Sequence, residues 1–177
     1  MSSFDVQIWY DERNACTLYS VLQDGLDTCE ADRFIQRFID KKEFDDDLNK
    51  LIAFIQNTIA GRHGAHRSFF RDEASAKALP PKRSRELSRL AVGLELEHPL
   101  RWYCYPVRKE VLILLNGGLK TKTELPHQDN PDLRGRFYDA QRFVRVIDQA
   151  LQNREIQVHG RFLCDHLGEP ITTLTLL

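Results

Sequence analysis

Residues 100–118 read Leu100-Arg101-Trp102-Tyr103-Cys104-Tyr105-Pro106-Val107, then Arg108-Lys109-Glu110, then Val111-Leu112-Ile113-Leu114-Leu115-Asn116-Gly117-Gly118. Aromatic and branched aliphatic residues dominate both runs, the composition that packs on a pleated surface. The polar trio between them reads as a hairpin turn. Asn116-Gly117-Gly118 predicts a bulge or bend, because glycine takes the positive φ angles such features use. Leu119-Lys120-Thr121-Lys122-Thr123 alternates again and extends the second strand. An antiparallel sheet is therefore expected at the centre of the chain.

Toward the N-terminus, Phe4-Asp5-Val6-Gln7-Ile8-Trp9 alternates apolar and polar residues, as a half-buried strand does. Asp11-Glu12-Arg13-Asn14 follows as a turn-and-cap cluster, and Leu18, Val21 and Leu22 then fall at helical spacing. A second helix is predicted over Glu30–Lys41, with Phe34, Ile35, Phe38 and Ile39 on one face. A third starts near Asp45-Asp46-Asp47, carries Leu48, Leu51, Ile52, Ile55 and Ile59 on one stripe, and ends at Gly61 as a C-cap. The three aspartates suit a helix start, where they complement the helix dipole, better than a metal site. Residues 62–99 are the least regular third, broken by Leu79-Pro80-Pro81.

Toward the C-terminus, Pro126–Pro131 reads as a loop and Asp132–Asn153 as a long helix. Phe137, Phe143, Val144, Ile147 and Leu151 make its core face. Ile156-Gln157-Val158 and Ile171–Leu177 offer two short strands. Strand, helices, consecutive antiparallel strands, then a helix is an α+β order, not the alternation of a parallel sheet. The expected architecture is an N-terminal strand, a helical hairpin, a central antiparallel sheet, and a C-terminal helix with short strands. One side of the sheet would carry the helices, and the other would be open or covered by the tail. At 177 residues the chain fits a single domain, residues 1–177, with a C-terminal extension from about 123.

The formal net charge of −1 hides an asymmetry. Residues 1–61 hold 6 Lys and Arg against 12 Asp and Glu; residues 62–122 hold 13 against 6; residues 123–177 hold 6 against 8. A basic stretch that dense suits a polyanionic partner, although it also serves to solvate an irregular segment. No apolar run approaches the roughly 18 residues of a membrane span, and Met1–Arg13 lacks the pattern of a secretion signal. The expectation is a soluble, cytoplasmic protein with no membrane partner. Cys16, Cys29, Cys104 and Cys164 form no CxxC pair and read as reduced, buried thiols.

Sequence signatures of common enzymes are missing: no GxSxG, HExxH, GxxxxGK[ST], or GxGxxG after a strand. His63 and His66 stand three apart with no carboxylate or Cys in a familiar zinc spacing, so neither metal nor other cofactor is expected. What remains is Arg, Lys, His and Tyr around one hairpin. Arg101, Tyr103 and Tyr105 share a strand face, and Lys120 and Lys122 share a face of the next. Such groups suffice to cleave RNA. A base takes the 2′-OH proton, the 2′-oxygen attacks phosphorus, an acid protonates the leaving 5′-oxygen, and cations hold the phosphate. The competing reading makes Arg101 and the tyrosines sheet packing, with Arg101 paired to Glu95 or Glu97, and the lysines guards of a sheet edge.

The same residues, from Leu100-Arg101-Trp102-Tyr103-Cys104-Tyr105 to Asn116-Gly117-Gly118-Leu119-Lys120-Thr121-Lys122, resemble the central hairpin of the RelE/HigB-type toxins. The close resemblance covers about 25 residues. It implies a RelE-like fold and a ribosome-associated mRNA endoribonuclease, the toxin of a type II toxin–antitoxin pair, held inactive by a cognate antitoxin that is expected to be a helix-turn-helix protein. It puts Arg101 on the phosphate and Lys120 and Lys122 at the basic positions after the strand, with Arg71 a further match upstream. Many members end soon after the sheet on a catalytic Tyr or His. This chain continues, and His127 and Tyr138 are counterparts by position. Arg71, Lys77, Lys82, Arg83, Arg85 and Arg108 complete the expected phosphate-binding set. The alternatives are a non-catalytic inhibitor like the gyrase-binding ParE branch, or a binding module of the same fold that has lost activity.

Overall fold

β5 (Leu100–Arg108) and β6 (Val111–Leu119) form the expected antiparallel hairpin, closed by a turn at Lys109-Glu110. In the computed structural model, which describes residues 3–90, 98–122 and 124–177, this hairpin sits inside a seven-stranded sheet. Thr123, Glu95 and Glu97 lie outside the described residues. The other strands are β1 (Phe4–Tyr10), β2 (Thr17–Gln23), β3 (Arg71–Glu73), β4 (Ala76–Leu79) and β9 (Thr173–Leu176). Their order is β3-β4-β5-β6-β2-β1-β9, antiparallel throughout except for the parallel pair β2 and β6. β7 (Ile156–His159) and β8 (Phe162–Asp165) form a separate two-stranded ribbon. The fold is α+β.

Helices cover both faces. On one, α1 (Glu30–Phe38), α2 (Lys42–Ala53) and the wider π-helical turns of Phe54–His63 bury Phe34, Phe38, Leu51 and Ile55 against Leu18, Trp102, Cys104 and Leu114. On the other, α4 (Arg134–Gln152) packs Phe137, Phe143, Val144 and Ile147 against Phe4, Tyr19, Tyr103 and Ile113. The C-terminal extension thus supplies both the cover of the second face and an edge strand, β9, of the same sheet. A short α3 (Arg85–Arg89) starts at Ser84, whose hydroxyl accepts the Leu87 N–H. No helix among the described residues is long and apolar enough to cross a membrane, and the four cysteines are buried free thiols.

Several expectations need correction. Leu18, Val21 and Leu22 lie on a strand, β2, not a helix. β2 is buried on both faces, with Leu18 in one core and Tyr19 and Val21 in the other. Its apolar run therefore carries no period-2 signal. The third helix begins at Lys42, so the aspartates lie inside it, and Asp46 pairs with Lys50. It ends at Gly64, not Gly61. Gly64 has φ +72°, and its N–H reaches back to Ile59 O. Residues 71–79, expected to be irregular, form the β3–β4 hairpin.

The bulge at Asn116-Gly117-Gly118 is real, but its cause is not positive φ. Between Trp102 and Cys104 the register against β6 jumps from Gly117 to Leu114. A Cβ on Gly117 would stand 1.9 Å from Arg101 O, and one on Gly118 would stand 2.4 Å from an Asp132 carboxylate oxygen. Both glycines serve close approach. Asp132 also accepts the Leu119 N–H at 2.7 Å and pairs with Arg37 at 2.8 Å, while Arg37 donates to Gly117 O. Burial opposes ionisation of Asp132, yet these donors together hold its carboxyl below the ordinary carboxylate range. β6 ends there, at Leu119, so Lys120 to Lys122 do not continue the strand.

Candidate functional site

β3 alternates its three side chains across the sheet, so Arg71 and Glu73 project to the α4 face and Asp72 to the other. On the α4 face, Arg71 pairs in register with Ala78, which pairs with Tyr103 on β5, two residues after Arg101. Lys120 follows β6 directly, its N–H still bonded to Pro99 O. His127 comes from a 3₁₀ turn at His127–Asp129, and Lys82 from the segment after Pro80-Pro81. The topology thus gathers Arg71, Glu73, Lys82, Arg101, Tyr103, Lys120 and His127 at one end of the sheet.

The cluster is well anchored. Arg71 donates from Nε to Pro80 O at 2.7 Å and from Nη2 to Pro81 O at 3.4 Å. Arg101, only 7% exposed, donates from Nη1 to His98 O and, at 2.8 Å, to Leu100 O. Its buried Nε has no hydrogen-bond partner among the described residues. Gln141 of α4 fixes the turn that carries Glu73. Its Nε2 donates to Glu73 O at 2.8 Å, and its Oε1 accepts the N–H groups of Ser75 and Ala76. Ala74 there takes φ +57°, the left-handed region an L-residue enters only in a tight turn.

His127 Nδ1 lies 2.7 Å from the Tyr103 hydroxyl, and Nε2 lies 3.0 Å from Glu73 Oε1, out of hydrogen-bond alignment. A ring protonated on Nε2, with the Tyr103 hydroxyl donating to Nδ1, fits both contacts.

Charge dominates this site. Burial raises the Glu73 carboxyl, and Lys120, Arg71, Lys82 and Arg101 pull it back without restoring the usual value. Burial, then Arg71, pushes the Arg101 guanidinium down to about 10. Lys120 is lowered by its partial burial and then by Arg101. Burial holds the His127 ring neutral, well below the ordinary imidazole value, and the same four cations reinforce it against the nearby Glu73. Tyr103 is raised, by burial first and by Glu73 second, so its hydroxyl stays protonated.

That neutral histidine sets a stability test. Its folded pKa lies below the unfolded value of about 6.5, so at lower pH the unfolded chain binds a proton the folded one refuses. The His127 contribution is complete above about 6.5 and is lost as pH falls below it, by up to about 1.4 kcal/mol per pH unit. The raised Glu73 carboxyl acts oppositely, favouring the fold at lower pH. The comparison with His127→Gln isolates the ring. Urea unfolding at pH 7.5 and pH 5.5 should show a larger loss for the wild type. Equal losses would put the ring in water.

Of the residues singled out from sequence, Arg71, Lys82, Arg101, Lys120 and His127 come together. Lys122 does not: it is exposed, on a loop that Asn130 ties down through Lys122 O. Tyr138 is 53% exposed on α4, edge-on to Phe137. Lys77 points to the other face with its partner Asp72, and Arg83 and Arg108 line a groove there. Arg85 is exposed at the first position of α3. Glu73 and Gln141 went unread. No local pattern marked Glu73, because Arg71-Asp72-Glu73 is charged at every position.

No family model, curated protein or solved structure matches this chain.

Proposed function

We propose that this protein cleaves RNA by 2′-OH attack on the adjacent phosphate, as the mRNA-cutting toxin of a toxin–antitoxin pair. The observation that carries the reading is four cations, Arg71, Lys82, Arg101 and Lys120, set around one carboxylate, Glu73, whose pKa burial has raised. Arg101 and Arg71 hold the phosphate oxygens. Glu73 takes the 2′-OH proton as the 2′-oxygen bonds to phosphorus and the bond from phosphorus to the 5′-oxygen breaks. Lys120, an ammonium made more acidic by its surroundings, gives its proton to that leaving oxygen. The products are a 2′,3′-cyclic phosphate and a 5′-hydroxyl, with protons and electrons balanced. His127, oriented by Tyr103, lies beside Glu73, whose turn Gln141 holds in place. The hairpin resemblance adds the ribosome as the place of action and an antitoxin as the partner.

A second reading, a non-catalytic inhibitor of the same fold, is favoured by the burial of Arg101 and by its bonds to His98 O and Leu100 O. Induction in a bacterium separates the two. The wild type should arrest growth and translation. Arg101→Ala, folded by circular dichroism, should relieve arrest with cleavage slowed by about 10²-fold or more. Arg101→Lys should recover only part, because an ammonium lacks the guanidinium fork. Arrest by a folded Arg101→Ala protein would favour the inhibitor.

A further inference from the structure

On the face of the sheet opposite Glu73, a groove of about 520 Å³ runs between residues 65–70, the start of α3 and the β5–β6 turn. Phe70 and Pro106 line it with apolar surface. Its walls are held in place by the Ala65 N–H, which donates to Lys109 O at 2.7 Å. The two acids lining the groove are already engaged: Asp72 with Lys77, and Glu86 with Arg67 at 3.6 Å and His66 at 3.4 Å. Lys82, Arg83, Arg108 and Lys109 line it as well, all exposed, and among the described residues none of the four forms a salt bridge. The groove is thus an open, fixed concavity with a cationic excess and an aromatic side chain.

Lys82 links this groove to the cluster. It lines the groove and lies close enough to Asp72 on that side, and to Glu73, Lys120 and His127 on the other, to act on their charges. Only β3, an edge strand of three residues, separates the two faces at this point. We propose that the groove holds the single-stranded RNA that flanks the bond cut at Glu73, with the chain turning round the β3 edge over Lys82. The inference rests on the proposed cleavage reading and adds the substrate's form to it. A duplex is too stiff to turn round one short strand, whereas a single strand bends, and it gains from a charged groove with an aromatic ring on which a base can stack.

The test uses the full chain and a labelled 12-nucleotide single strand, 2′-O-methylated so that it cannot be cut, with the same sequence as a duplex for comparison. The wild type should bind the single strand more tightly than the duplex. The triple variant Arg83→Gln, Arg108→Gln, Lys109→Gln should bind the single strand at least 10-fold more weakly. Its dependence of log K on log salt should be shallower by roughly 2, since each phosphate contact to a single strand contributes about 0.7. Glu73→Gln should bind at least as tightly as the wild type. Unchanged affinity in the triple variant, or a wild-type preference for duplex, overturns the groove assignment. So does a wild type that ignores RNA and binds a polyglutamate peptide, which gives the groove to an acidic protein. Loss of the groove effect with cleavage intact defeats this inference alone; groove binding without any cleavage defeats the catalytic reading instead.

Discussion

Glu73→Gln should lower RNA cleavage by about 10²–10⁴-fold, the usual range for removing a general base, while RNA binding holds or tightens. Glutamine keeps the shape of the side chain and its reach toward His127, but it cannot take a proton. It also removes a carboxylate that Arg71, Lys82, Arg101 and Lys120 act on, so a phosphate meets a more positive site. A structural role predicts something else: loss of stability with cleavage reduced only in proportion to folded protein. The pH profile gives an independent reading. Activity in the wild type should rise through a pKa above the ordinary 4.5 of a glutamate as Glu73 ionises. It should fall through one below the ordinary 10.5 of a lysine as Lys120 deprotonates. A full-rate Glu73→Gln enzyme would exclude Glu73 as the base.

Trp102→Ala should destabilise the protein by about 3–5 kcal/mol, a large part of the roughly 5–15 kcal/mol that holds a typical domain together. Trp102 is fully buried, stacked on Phe34 with centroids 4.4 Å apart and edge-on to Trp9 at 6.4 Å. It therefore joins β5 to α1 and β1. Its indole N–H donates to Leu115 O at 2.7 Å, at the bulge where the β5–β6 register jumps. Trp102→Phe keeps most of the packing but strands that carbonyl, at a cost of roughly 1–3 kcal/mol. Urea denaturation of the three proteins checks the order. A Trp102→Ala midpoint equal to that of Trp102→Phe would mean the stacking contributes little.

The sheet was legible where its residues were distinctive. The aromatic run of β5, the aliphatic run of β6 and the alternation of β1 each carry a strand signature, and the apolar stripe of α4 carries a helical one. β2 was not legible, because burial on both faces erases alternation. β3 and β4 are three and four residues long, too short for a periodic signal and set among charges that read as loop. That hid Glu73, which sequence offered only as one acid in a basic stretch. Arg101 was legible from its strand position, Lys120 from its place directly after the apolar strand, and His127 from its place after the sheet. Lys122 shared the apparent alternation of Lys120, but Asp132 takes the Leu119 N–H and Asn130 holds the following loop, so the strand ends before it. Those bonds come from residues some ten positions downstream, beyond any local pattern.

The most direct test of the central claim is the chemistry of the RNA ends made in a bacterial translation extract supplied with the purified protein. Cut mRNA should carry 2′,3′-cyclic phosphates on the upstream fragments and 5′-hydroxyls on the downstream ones, with both absent when Glu73→Gln replaces the wild type. Intact mRNA in the presence of folded wild-type protein, or cuts that Glu73→Gln makes equally well, would contradict it.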